Sequence, residues 1–192
     1  MRKNLLILFV FSMIFSQSNM TTPMGSPGFG IWTTFTQPFK GSQTTGSIRL
    51  DLHLRFGVEF SFGQSFEANT EYVFNHVGVA YDVKLYEWGS RLYAKRYDID
   101  DFDFAKRYEK EESGLEIYRR GRKLNSFLRF NQYKYNDLAN HVINIPYDSF
   151  LMIGGVGRMT RFITLAFGLS MPIEKLFYIR YSNIEATFGT SF

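Results

Sequence analysis

The 192-residue sequence contains no cysteine, which removes disulfides, thiolate metal sites, cysteine nucleophiles and dithiol redox chemistry together. Long hydrophobic runs are lacking too. The most apolar stretch, residues 5–15, is about eleven residues long, well short of the ~20 that a helix needs to cross a bilayer. No later stretch approaches ~18 consecutive apolar residues, so a helical membrane protein is excluded. Charge of one sign is also scarce. The 22 basic residues face 18 acidic ones, and the sequence pI of 9.2 is weak support for a nucleic-acid partner.

Residues 1–18, MRKNLLILFVFSMIFSQS, hold Arg2 and Lys3, an apolar core, and Ser16 and Ser18 framing a small-x-small site. This is the three-part pattern of a secretory signal peptide. Cleavage after Ser18 leaves residues 19–192 as one domain. Its 20 basic and 18 acidic residues give a net charge of +2. An exported chain of this size without disulfides must be held by a complete sheet or by a membrane.

What the sequence does contain is alternation. In residues 47–63, SIRLDLHLRFGVEFSFG, the even positions Ile48, Leu50, Leu52, Leu54, Phe56, Val58, Phe60 and Phe62 are all apolar. The odd positions Arg49, Asp51, His53, Arg55, Gly57, Glu59 and Ser61 carry no large apolar side chain. Drawn from a composition that is 45% hydrophobic, such a run arises in roughly two or three windows per hundred thousand. A helix cannot use it, because at about 100° per residue Leu50 and Leu52 would face nearly opposite sides. The pattern predicts one long β-strand of ~50 Å, with one greasy face and one charged face, projecting beyond a lipid-facing band of ~25 Å. Aromatic residues make up 18% of the chain, as a barrel with aromatic interfacial girdles requires.

The rest of the chain continues the theme. Strands are expected over residues 28–36 and 71–88, the latter with Val73, Val77, Val79, Tyr81, Val83 and Leu85 on one face and His76, Asp82 and Lys84 on the other. A turn at residues 88–90 leads to a strand over 91–97. Further strands are expected over 126–135, 149–157, 161–171 and 176–192. Residues 98–123 are dense in both signs of charge without apolar alternation, and read as a long external loop or a hairpin rising above the lipid. The count is eight strands, or ten if the charged segment adds a hairpin. The fold class is all-β: a closed antiparallel up-and-down transmembrane barrel.

The chain ends on Ile184, Ala186, Phe188, Thr190 and Phe192, apolar or small at every second position with a terminal aromatic. This resembles the closing strand of Gram-negative outer-membrane β-barrel proteins, the porin-like and eight-stranded barrels; Thr190 departs from their bulkier residue. The resemblance implies insertion by the barrel assembly machinery, contact with outer-membrane lipid and lipopolysaccharide, and residence in the outer membrane.

The lumen-facing charges form the main candidate site: Arg49, Asp51, His53, Arg55, Glu59, His76, Asp82 and Lys84. Same-face residues on a strand lie about 7 Å apart, and a narrow lumen lets neighbouring strands supply partners. The expected result is a salt-bridged plug and a structural or surface-interaction role. A narrow porin-like channel is the alternative. Three further readings are weaker. A site of His53, His76 and Glu59 would need strand neighbours to bring both rings to one carboxylate. A lipid hydrolase needs a serine beside a histidine, which strand parity does not supply. A soluble lipocalin-like binder would turn the apolar face inward. A calcium-loop frame over residues 98–109 fails where Phe102 and Asp103 stand. The basic run Arg119, Arg120, Arg122 and Lys123 could meet lipopolysaccharide phosphates from an external loop. No catalytic residue, metal or cofactor is expected.

Overall fold

The computed structural model describes residues 28–40, 44–67, 73–101, 106–121, 124–135, 147–159 and 163–191. The expected signal peptide and the side chains of Arg55 and Phe192 lie outside the described parts. Ten strands form: β1 Gly28–Pro38, β2 Thr45–His53, β3 Val58–Glu67, β4 Val73–Leu85, β5 Trp88–Asp101, β6 Lys106–Arg119, β7 Leu124–Tyr135, β8 Ser149–Arg158, β9 Thr164–Pro172 and β10 Asn183–Ser191. Each pairs antiparallel with the next, and β1 pairs with β10 to close the barrel. Closure satisfies every ladder edge, which is what a sheet in hydrocarbon must do.

The two strands beyond eight have distinct origins. Residues 47–63 are not one strand but the hairpin β2–β3, joined by a 3₁₀ turn at Arg55–Gly57. Phe56 (φ 66°) and Gly57 (φ 82°) hold left-handed backbone there. A side chain on Gly57 would stand 2.3 Å from the Asp82 carbonyl oxygen, so glycine is the residue that fits. Leu54 and Phe56 are exposed turn residues rather than strand residues. The second extra strand lies in the charged segment. Of the two readings the hairpin holds: β5 extends to Asp101 and β6 runs from Lys106, with Asp98 opposite Glu109. The two ends of the calcium-like frame are therefore ladder partners, not loop ligands. The expected turn at 88–90 is instead Tyr86–Glu87, and residues 173–181 form two 3₁₀ turns before β10.

Sheet register sets the barrel's shape. From Gly28 the inward row steps to His53, Glu59, Ala80, Tyr93, Gly114, Asn131, Phe150 and Pro172. Continued through the β9–β10 and β10–β1 registers it passes Tyr181 and returns at Lys40. The row thus comes back twelve residues above its start (Gly28 to Lys40), which for ten strands corresponds to a tilt of about 40°. A residue's height in the barrel therefore depends on its strand as well as its number.

The exterior is apolar. Leu50, Leu52, Phe60, Phe62, Val77, Val79, Leu92, Leu128, Ile153 and Phe167 are all exposed, in adjoining rows around the wall. At the upper edge on β5–β7 the row Arg96, Glu111 and Lys134 replaces them, with Arg96 bonded to Glu109. Short connections at 54–57, 86–87, 120–123 and 159–163 share one end with the start of β1 and the end of β10. The two longest connections, 136–148 and 173–182, lie at the other end.

Candidate functional site

Seven of the eight residues expected to line the lumen lie on inward strand positions. Asp51, His53, Glu59, His76 and Asp82 are buried, and Arg49 and Lys84 are half-buried. Arg55 departs, because it lies in the turn between β2 and β3 rather than on a strand face. The β2–β3 registers bring Asp51, His53 and Glu59 together at the short-turn end, with one donor atom from each inside a 4.8 Å cluster. His53 Nδ1 meets Glu59 Oε2 at 3.0 Å. Arg49 Nε reaches the two Asp51 oxygens at 2.8 and 3.1 Å, and Arg91 bonds Glu59. Two guanidinium groups thus already balance the two carboxylates, so the cluster reads as an ion-pair knot rather than a metal centre. His76 does not join it. It lies higher, with its ring 5.2 Å from Tyr97, so a joint His53, His76 and Glu59 site does not form.

Several residues of the network carried no sequence signal. Tyr118 donates to Asp82 Oδ1 at 2.7 Å, and Lys84 Nζ stands 3.7 Å from Asp82 Oδ2. Arg129 on β7 binds Glu116 through Nε at 2.8 Å and Nη2 at 2.7 Å, with Nη1 3.8 Å from Glu185. Glu112 accepts from the Tyr97 hydroxyl at 2.5 Å and from Tyr93 at 3.2 Å, and lies 3.9 Å from Lys95 Nζ. The inward positions of β5 and β6 alternate regularly through these residues. Their outward neighbours Arg96, Glu109 and Glu111 are charged as well, however, and erase the apolar half of the pattern.

The opposite lumen wall is apolar. Tyr118, Phe127, Met152, Val156 and Ala166 form one buried cluster. Trp32 lies flat against the inner face of β10, where a side chain on Gly189 would overlap its ring at 1.4 Å. Charged network and apolar cluster together leave a cavity of only about 40 Å³ at this level, bordered by Asp51, Glu59 and Arg91. Towards the long-loop end the lumen widens to about 450 Å³. Its wall carries the tyrosines Tyr97, Tyr133, Tyr135, Tyr147 and Tyr181. Among the described residues, six cationic side chains, Lys40, Arg49, Lys95, Lys110, Arg129 and Arg180, line it against two carboxylates, Glu112 and Glu185.

The basic run singled out in the sequence is placed differently from expectation. Arg119 ends β6 and Arg120 follows it, so they sit at the short-turn end and not on a long external loop. Arg119 pairs with Glu87 at 3.4 Å and packs over the Trp88 ring. Arg122 and Lys123 lie outside the described residues.

A closed antiparallel barrel with hydrocarbon-like side chains outside and ionised groups inside is a membrane-spanning β-barrel. The inverted, lipocalin-like arrangement is excluded by the exterior position of Leu50, Leu52, Phe60 and Phe62. Among solved structures, the chain is similar to outer membrane protein Omp33 of Acinetobacter baumannii, at 10% identity over 86% of this chain and 98% of that one, with a TM-score of 0.49. It is also similar to the NanC porin, at 8% identity over 85% and 98% of the two chains, TM-score 0.47. A third is the Salmonella typhi outer membrane phospholipase dimer with bound calcium, at 9% identity over 95% and 96%, TM-score 0.40. No protein-family model matches the sequence, and no curated protein matches it.

Proposed function

We propose that the chain is an integral outer-membrane protein of a Gram-negative cell that works by binding at its outer mouth rather than by passing solutes freely. The carrying observation is the unequal lumen: about 40 Å³ of space at the level of Glu59 and Arg91, against about 450 Å³ at the long-loop end. Outer-membrane barrels keep short turns in the periplasm and long loops outside, which directs the wide mouth to the cell surface. The signal-like residues 1–18 support export, and the alternating C-terminal strand, with Ile184, Ala186, Phe188 and Phe192, supports insertion by the barrel assembly machinery. Lipid then meets the apolar band. Arg96 and Lys134, just above it on the exterior, meet lipopolysaccharide phosphates.

Lipid hydrolysis has little support, because His53 and His76 point into the lumen while an acyl chain arrives from outside. A narrow pore is the second reading, and it draws on Arg49, Lys95 and Arg129, which line both the narrow and the wide cavity. Planar-bilayer recording separates the two. A closed lumen gives no stable single-channel steps, whereas steady, sizeable steps from the unmodified barrel reject it in favour of the pore.

A further inference from the structure

Among the described residues, the wide mouth carries more cationic side chains than carboxylates. Glu112 is occupied by Lys95, Tyr93, Tyr97 and Asn131, and Glu185 faces Arg129. Arg49 is committed to Asp51. That leaves Lys40, Lys110 and Arg180 without a direct ion pair among the described residues, with Lys110 feeling Glu112, which it shares with Lys95, only from beyond contact distance. Lys110 is held in place by aromatic faces. Its Nζ lies 4.3 Å from the Tyr133 ring centroid, 4.5 Å from that of Tyr97 and 5.9 Å from that of Tyr135. A cation fixed by three rings has already lost its rotamer freedom, so a ligand that meets it does not bear that entropy cost. Arg180 is likewise stacked, 4.7 Å from the Tyr181 ring, and Tyr147 meets Tyr181 edge-on. The same cavity therefore offers positioned positive charge and flat apolar faces that end in hydroxyl groups.

We infer that this mouth binds a small organic anion built on a ring, a sugar phosphate being the simplest member, with the phosphate taken by Lys110 and the ring by the tyrosine faces. Of the outward-opening reading above, the inference uses only the orientation of the mouth. It does not depend on whether the lumen conducts. Anionic ligands at a cell surface come free or as lipopolysaccharide headgroups. A pit walled by the barrel, opening away from the lipid-facing exterior, suits a free molecule.

Calorimetric titration of the folded barrel in detergent tests it, with glucose 1-phosphate, glucose, inorganic phosphate and lipopolysaccharide as separate probes. Glucose 1-phosphate is expected to bind at least about tenfold more tightly than either glucose or inorganic phosphate, since a charge-assisted bond and a ring contact each add to affinity. Lys110→Gln should weaken it by about tenfold or more. Arg119→Gln, which removes a like charge at the opposite, short-turn end, should leave it unchanged. Binding of lipopolysaccharide that Lys110→Gln weakens, with no binding of glucose 1-phosphate, would overturn the inference in favour of a lipid headgroup site. So would equal affinity for glucose and its phosphate, or an unaltered affinity in Lys110→Gln. A barrel that conducts yet binds glucose 1-phosphate overturns the closed-lumen reading and leaves this one standing.

Discussion

Glu59 on β3 and Arg91 on β5 bond across the inner face of β4, two strands apart. They reach each other because the intervening inward positions at that height are small or short. Ala80, the strand partner of both Glu59 and Tyr93, has no side chain long enough to intrude. Buried ion pairs of this kind contribute little net stability when intact, because desolvation offsets attraction. Breaking one is costly, because it strands the remaining charge.

Glu59→Gln is therefore expected to destabilise the barrel by about 3 kcal/mol, and Glu59→Gln with Arg91→Met by clearly less than the sum of the two single changes. Urea unfolding in lipid vesicles measures both. Strict additivity would mean that the pair is not a unit, and the ion-pair knot would lose its standing as a structural feature.

The exterior makes a second expectation. Leu50 is exposed at mid-band, opposite Ile31 on β1 and Phe62 on β3. Leu50→Arg should cost about 2–4 kcal/mol in folding into vesicles, as a cation at the bilayer midplane does. Arg96→Leu, above the band, should change stability by less than about 1 kcal/mol, because its ion pairs are exposed. Similar small effects at the two sites would place Leu50 in water and remove the membrane assignment.

These expectations trace what was legible in the sequence. Alternation over Ile48–Phe62 gave the correct face for every strand residue in it, yet hid the turn in its middle. His53 pairs with Glu59 and Leu52 with Phe60, so partners in this hairpin share parity and the alternation passes through the turn undisturbed. Only Gly57 and the excess length over a ~25 Å band marked the reversal. The strand β6 was legible only as the hairpin alternative for residues 98–123, for a different reason. Above the lipid its outward residues Glu109 and Glu111 are charged, and its inward residues Lys110 and Glu112 line the wide mouth. Neither face has apolar side chains there. The network itself was partly legible as single residues on β2, β3 and β4. Its partners Arg91, Arg129 and Glu185 were not, since register and tilt, rather than spacing in the chain, bring Arg129 to Glu185.

Trp32 provides a local probe of the lumen packing. It is 2% exposed, and the bare backbone of Gly189 is what admits its ring. Gly189→Ala should cost about 1–3 kcal/mol through overpacking. It should also shift Trp32 emission to longer wavelength, read in a Trp88→Phe background because Trp88 is the other tryptophan of the sequence. An unchanged spectrum with unchanged stability would show that the ring does not lie against β10.

The narrow level of the lumen is walled by two unlike halves, and they can be tested separately. Phe127 faces inward from β7 in the apolar cluster, whereas Phe130, three residues on, faces outward and is 40% exposed. Truncating Phe127 to alanine opens space beside the Arg129 guanidinium, which stands 5.1 Å from the Phe127 ring. Water then gains a route along the apolar wall past the charged network. On the closed-lumen reading proposed above, Phe127→Ala should give resolvable conductance steps, while Phe130→Ala, which removes a ring of the same size from the exterior, should stay silent. Heat-modifiable migration on gels confirms that each variant is folded before it is recorded. If folded Phe127→Ala proves as silent as Phe130→Ala, the ion pairs of Glu59, Arg91, Glu116 and Arg129 close the lumen by themselves, and the apolar cluster serves stability alone.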